Sequence, residues 1–266
     1  MESDTSSRKY TSHLLRTKSP LAASMLLLIC WLSAASGEQA TVIGTPAAIQ
    51  TLSPLVKQVT PTVVTIKAIV QTIEAFPATG PGSGFPDGPL PVVRNVYGAG
   101  VIIDADRGLI ATANHVVKGT EALSVLLSDG RCFAARPVVT DEDFDLAVLK
   151  VDASGLIAGS IDRPDQAEPG DFVLAVGDPL GFEHSATFGM VSAIHRSRSG
   201  IPGHDLIQSD VLLGRGSSGG PLFNLRGEII GINIARTSDA ANERGFAFAA
   251  PASSLIAILR KAREAD

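Results

Sequence analysis

The sequence predicts an all-β fold, a barrel or a sandwich, from three observations. Glycine and proline number 26 and 16 among 266 residues, aromatic residues make up only 5%, and short β-branched runs recur between the turn-forming residues. Gly and Pro interrupt helices and close turns, so this punctuation favours short strands. An apolar content of 45% is ample for a buried core, and the length suits one large β domain or two modest ones.

Taken in order, SPLVKQV (53–59) predicts a short helix, with a serine cap and a proline in the first turn. Strands are predicted over 63–70, 99–105, 108–113, 122–127, 132–139, 146–151, 171–176, 187–194, 227–235 and 245–250. A final helix covers 251–265 and ends in Lys and Arg, as the helix dipole favours. Residues 75–95 carry too much Gly and Pro for a central strand and are expected to form a long loop. A second irregular stretch, 152–170, divides the strands into two sets and would carry the crossing between two β units, assigned here as 38–160 and 161–266. No repeat of fixed period is visible.

The first 37 residues differ from the rest. Arg8, Lys9, Arg16 and Lys18 precede the apolar run LAASMLLLICWLSAA (21–35) and then small residues, the layout of a secretory signal cleaved after Ala35 or Gly37. The apolar run is shorter than the ~20 residues a spanning helix needs, an uncleaved anchor being the alternative. Ile29 before Cys30 argues against lipid attachment, so the mature chain is expected to be exported, periplasmic or secreted. With Cys30 removed, Cys132 stands alone, can build neither a disulfide nor a zinc site, and is expected in a strand core. The net charge of -5 and the scattered Lys and Arg argue against a nucleic acid partner. No cofactor or metal is called for.

Residues 212–227, LLGRGSSGGPLFNLRG, raise the chemical question, with adjacent serines and four glycines within seven positions. GSSGG (216–220) fits G-x-S-x-G around Ser218, a spacing used by the nucleophile elbow of α/β-hydrolases and by the nucleophile loop of chymotrypsin-like proteases. The elbow design needs its acid and its histidine downstream of the serine, yet the last histidine is His204 and alternating βα units are missing. A serine hydroxyl is a poor nucleophile near neutral pH and needs a base that is itself oriented by a third group. His115, in GLIATANHVVKG, lies at the mouth of an apolar strand and is the candidate base. His13 falls in the signal, and His184, His195 and His204 read as loop or strand-end positions. The candidate acid is Asp145, which directly abuts the strand LAVLKV, whereas Asp141, Glu142 and Asp143 read as a solvated turn. The N–H groups of Gly216 and Ser218 can aim at one point, where a tetrahedral intermediate would carry its charge, and Gly219 and Gly220 permit a sharp turn.

In chain order, GAGVIID, GLIATANHVV, DFDLAVLKV, VLAVGDPLGF, TFGMVSAIHRS, IQSDVLLGRGSSGGPLFNLRGEIIGINIA and GFAFAAP resemble the HtrA/Deg-type serine proteases of the chymotrypsin-like class, and LVKQVTPTVVTI (55–66) is similar to that family's entry segment. The resemblance implies two six-stranded antiparallel β-barrels, with His115 and Asp145 supplied by the first and Ser218 by the second. It further implies export to the periplasm, action on unfolded or misfolded polypeptides and a homotrimer. An extended substrate would add a strand near Asn233, Ile234 and Ala235, with Leu213 also a substrate-binding position. The stretch 75–95 falls where the family has a long regulatory loop. Three departures stand out. The chain stops at Asp266 without a PDZ domain, Ser217 replaces the usual asparagine, and IARTSDA puts Arg236 near the end of a pocket that in the family takes small aliphatic side chains. Two rival readings remain, a catalytically silent chaperone or scaffold on the same fold and an esterase using the same triad.

Overall fold

The computed structural model describes residues 51–76, 88–164, 166–177, 185–237 and 245–266. The signal, His13, Cys30 and His184 lie outside the described residues. Helix α1 (Ser53–Val59) leads through a 3-10 turn at Thr60–Thr62 into β1 (Val63–Phe76). The first barrel continues through β2 (Gly88–Asp104), β3 (Leu109–Ala113), the short helix α2 (Asn114–Val117), β4 (Ala122–Leu127), β5 (Cys132–Asp141) and β6 (Leu146–Val151). It closes in the order β1-β2-β3-β6-β5-β4, every pairing antiparallel.

The second barrel is built from β8 (Phe172–Gly177), β9 (Ser185–Arg196), β10 (Leu206–Ser209), β11 (Pro221–Asn224), β12 (Glu228–Arg236) and β13 (Ala247–Pro251). Their order is β11-β8-β9-β10-β13-β12, closed by pairing of β11 with β12. The chain crosses between barrels at 152–159, where the Gly159 N–H donates to Ile102 O at 2.8 Å. A side chain at Gly159 would press on Ile229 and Val101, one from each barrel. The two-residue strand β7 (Ser160–Ile161) then pairs in parallel with β12.

Alternation along the strands places Val64, Ile66, Ile102, Ile110, Val125 and Leu149 inside the first barrel, all buried. The same apolar cluster continues through Leu174, Phe223, Ile229 and Ile232. The barrels therefore meet on a dry face, each large side chain removed from water contributing about 1.5–3 kcal/mol. A second cluster, with Val173, Val191, Leu222 and Ile230, fills the other side of the second barrel. The final helix, α3 (Ala252–Ala265), buries Leu255, Ile258, Leu259 and Ala262. It lies over β5, β6 and β12, and Arg263 reaches Asp104 of the first barrel at 2.8 Å.

The structure corrects several expectations. The ladder of β1 and β2 runs to Phe76 opposite Gly88, so 75–76 and 88–95 are strand, leaving 77–87 outside the described residues. The prolines are admitted because β1 pairs with β4 only over Val64–Ile69 and β2 with β3 only over Val101–Asp104. Beyond those limits the hairpin is a two-stranded ribbon, and Pro89 and Pro91 lie on its open edge, where a missing N–H costs nothing. Cys132 is exposed and not a core residue, because it pairs with Leu126 on the outer face of the first barrel. The strands at 160–161, 206–209 and 221–224 went unread, being two to four residues long. Helix α1, ahead of the first barrel, packs Leu55 and Val59 against Gly227 between β11 and β12 of the second.

Candidate active site

Strand β3 ends in Ala113, and one turn of helix, Asn114–Val117, carries His115 out of the barrel mouth. The flanking Val116 and Val117 are buried, which fixes the turn, while the imidazole is about half exposed, its side chain 47% accessible. Asp145 stands immediately before β6, its own side chain only 8% accessible. Its backbone φ of 52° is left-handed, a conformation Asp tolerates better than most side chains. That twist lets it hold the histidine turn at three points. Asp145 O accepts the Asn114 N–H at 2.8 Å, Oδ1 accepts the His115 N–H at 2.8 Å, and Oδ2 lies 2.5 Å from His115 Nδ1. With Nδ1–H donating to the carboxylate, the lone pair of the neutral ring resides on Nε2.

The loop bearing Ser218 comes from the second barrel and is pinned to the first. Ser218 O accepts the Ala99 N–H of β2 at 2.8 Å. A tight turn from Ser217 to Gly220, closed by the Gly220 N–H to Ser217 O at 3.1 Å, puts Gly219 at φ 85°, where a type II turn calls for glycine. The missing side chain matters as much as the dihedral, since a Cβ on Gly219 would lie 2.2 Å from Thr112 Oγ1 and 2.4 Å from Ala99 O. The serine loop thus docks on the last residues of β3, three positions before His115. Behind it, the Gly219 N–H donates to Asn233 O at 2.7 Å, Asn233 N–H donates to Gly220 O at 2.9 Å, and the Asn233 amide reaches the Gly220 and Pro221 carbonyls.

Among the described residues, the N–H groups of Gly216 and Ser218 have no internal acceptor, and no hydrogen bond joins Ser218 Oγ to His115. Gly216 is left-handed, at φ 93°. Beside the loop lies a cavity of about 300 Å³ lined by the ends of β8 and β12, the start of β9 and residues 212–217. Leu213, Asn233 and Arg236 line it, together with Ala175, Ser185 and Thr187. Ile234 and Ala235 do not. Ile234 is buried at an irregularity in the β12–β13 ladder, and Ala235 pairs with Phe248.

The other described histidines are engaged elsewhere: His195 Nδ1 lies 2.5 Å from Asp205, and His204 packs on the Phe144 ring at 4.7 Å. Asp141 accepts the Phe144 N–H at 3.1 Å, while Glu142 and Asp143 are exposed. The contributions of Ala99, Thr112, Ser185 and Thr187 had no signal in the sequence, since each acts through a neighbour distant in the chain. Among the described residues, no three His, Cys, Asp or Glu side chains form a metal-holding group.

A closed double barrel with a His–Asp pair on one barrel and a glycine-framed serine loop on the other defines the trypsin-like peptidases. The chain belongs to this family, whose peptidase domain matches residues 98–232. Within it, the chain is homologous to the HtrA-type proteases. It is 36% identical over 217 residues, 77% of this chain and 46% of the relative, to the periplasmic pH-dependent serine endoprotease DegQ of Escherichia coli. To the periplasmic serine endoprotease DegP of Salmonella typhimurium it is 33% identical over 262 residues, 88% of this chain and 55% of the relative. The solved structure of the HtrA-type protease AlgW with a decapeptide superposes with a TM-score of 0.68 at 30% identity, covering 80% of this chain and 68% of that one. A serine endoprotease from Yersinia pestis gives a TM-score of 0.62 at 30% identity, covering 80% and 66%. The chain spans about half the length of DegQ and DegP.

Proposed function

We propose that the chain is a serine endopeptidase that hydrolyses peptide bonds in unfolded or misfolded exported proteins through Ser218, His115 and Asp145. The observation carrying this reading is the doubly hydrogen-bonded His115–Asp145 pair, which leaves Nε2 as a base beside a serine loop docked on the same strand end. His115 Nε2 takes the Ser218 proton as Oγ attacks the peptide carbonyl, and the unengaged Gly216 and Ser218 N–H groups receive the developing oxyanion. The imidazolium then protonates the leaving amine. Water, deprotonated in turn by His115, splits the acyl-enzyme and regenerates Ser218.

The cavity beside Ser217 takes the side chain of the residue whose carbonyl is cleaved. Because the backbone N–H and C=O of Asn233 are already committed to the serine loop, the extended substrate aligns along β12 beyond it, at Ile234 and Ala235. Main-chain recognition of this kind asks little of sequence and suits unfolded polypeptides. The resemblance carries with it a homotrimer and an exported, periplasmic location. Among the described residues no helix is long and apolar enough to cross a membrane.

The silent-scaffold reading draws on one observation, the missing hydrogen bond between Ser218 Oγ and His115; such bonds often tighten only when substrate binds. Incubation with denatured casein, wild type against Ser218→Ala, tests the proposal. Fragments from the wild type alone are expected. Equal digestion by both proteins refutes the nucleophile, and an intact substrate with no fluorophosphonate label on Ser218 establishes the scaffold.

A further inference from the structure

The cavity beside the serine loop carries a charge that no described lining residue neutralises. Its floor and walls are Ala175, Val176 and Leu213, with the hydroxyl residues Ser185 and Thr187 at the start of β9. Arg236, the last residue of β12, completes the lining. Its main chain is fixed by the ladder to Ala247, but its side chain is exposed and forms no ion pair among the described residues. Elsewhere in the molecule Arg131 pairs with Asp129, Arg226 with Asp162 and Glu228, and Arg263 with Asp104. No Asp or Glu lies among the described lining residues. A described lining of one guanidinium, three hydroxyls and no carboxylate repels a lysine or arginine side chain, binds a small apolar one without using its charge, and offers a carboxylate both a counter-ion and donors.

We propose that Arg236 makes this pocket select an acidic side chain, glutamate or aspartate, at the residue whose carbonyl is cleaved. The inference rests on the protease reading and adds its substrate class. Guanidinium–carboxylate recognition is planar and can be bidentate, so glutamate is distinguished from its isostere glutamine by charge rather than by size.

The test uses one peptide series, identical except for Glu, Gln, Val or Lys at the position before the scissile bond. With wild-type protein, kcat/KM for the Glu peptide is expected to exceed that for Gln by about tenfold, the low end for a hydrogen bond to a charged group at a partly exposed site. Arg236→Ala is expected to bring Glu and Gln level, and Arg236→Glu to favour Lys over Glu. The same peptides are titrated onto Ser218→Ala protein by fluorescence polarisation, where Glu is again expected to bind more tightly than Gln, and Arg236→Ala in that background to abolish the difference. Turnover with equal Glu and Gln rates, or a Glu preference that survives Arg236→Ala, overturns the role of Arg236 while leaving the protease intact. Glu-selective binding without any wild-type turnover upholds the pocket and overturns the protease reading. Binding that ignores the charge in a protein that does not cleave overturns both.

Discussion

Replacing Gly219 with alanine places a methyl group where two barrels already touch. At φ 85° any L side chain costs roughly 1–2 kcal/mol in backbone strain. The new Cβ would also sit 2.2 Å from Thr112 Oγ1, 2.4 Å from Ala99 O and 2.7 Å from Ala113 N. The last two are main-chain atoms of paired strands and cannot rotate away, so the overpacking cost belongs near the top of its usual range, about 3 kcal/mol. Gly200→Ala is the control, because Gly200 has a nearly identical φ of 84° with nothing within 4 Å of its ideal Cβ. It isolates the strain component. In a domain of this size about 1 kcal/mol moves the melting temperature by roughly 2–4 °C, so Gly219→Ala should fall by ~10 °C or more and Gly200→Ala by only a few degrees. Calorimetry of both variants with fluorophosphonate labelling at 20 °C is the assay, and the label is expected to be lost from Gly219→Ala even while it stays folded. Equal melting temperatures for the two variants, or full labelling of Gly219→Ala, would refute the claim that this contact seats the serine loop.

Further outcomes follow from the same geometry. Asp145→Asn offers His115 Nδ1 an amide, which favours the tautomer with its proton on Nε2, and turnover should drop by about 10⁴-fold, as at the equivalent acid of the chymotrypsin template; a loss under tenfold in kcat would remove Asp145 from the proposed triad. Ser217→Ala should label with fluorophosphonate nearly as fast as wild type, since Ser217 is buried with its side chain against Gly177; mass spectrometry of the labelled peptide decides which serine reacts. The Asn224 amide and then the Arg226 guanidinium hold the Glu228 carboxyl below its ordinary value, so its contribution to stability is present above the unfolded carboxylate value and is lost as pH falls through the folded one. Glu228→Gln should therefore melt below wild type at pH 7, and the gap should close as the solution is taken below about pH 4.

Short β-branched runs between turn-forming residues sufficed to read ten of the strands, and capping and end-charge signals both terminal helices, because those signals lie within each element. Ser218, His115 and Asp145, the proposed triad, were each singled out by a local signal: a glycine-framed serine, a histidine where an apolar strand ends, and an aspartate flush against the next strand. Where local signals were short or absent, the reading failed. The two- to four-residue strands at 160–161, 206–209 and 221–224 exist only because a partner strand was waiting, and Pro89 and Pro91 entered a strand because that stretch of hairpin has one open edge.

The order of residues by itself determined that the chain would fold as strands and nominated the side chains of the proposed triad, since both follow from residue type and near-neighbour spacing. Tertiary structure alone decided that Ala99 holds the serine loop, that Thr112 leaves room only for glycine at 219, that the main chain of Asn233 is spent on that loop, and that no Asp or Glu stands among the described residues lining the cavity with Arg236. Those relations join positions tens to more than a hundred residues apart, and barrel closure fixes them, because the partners of a buried donor or an excluded Cβ are set by which strands pair.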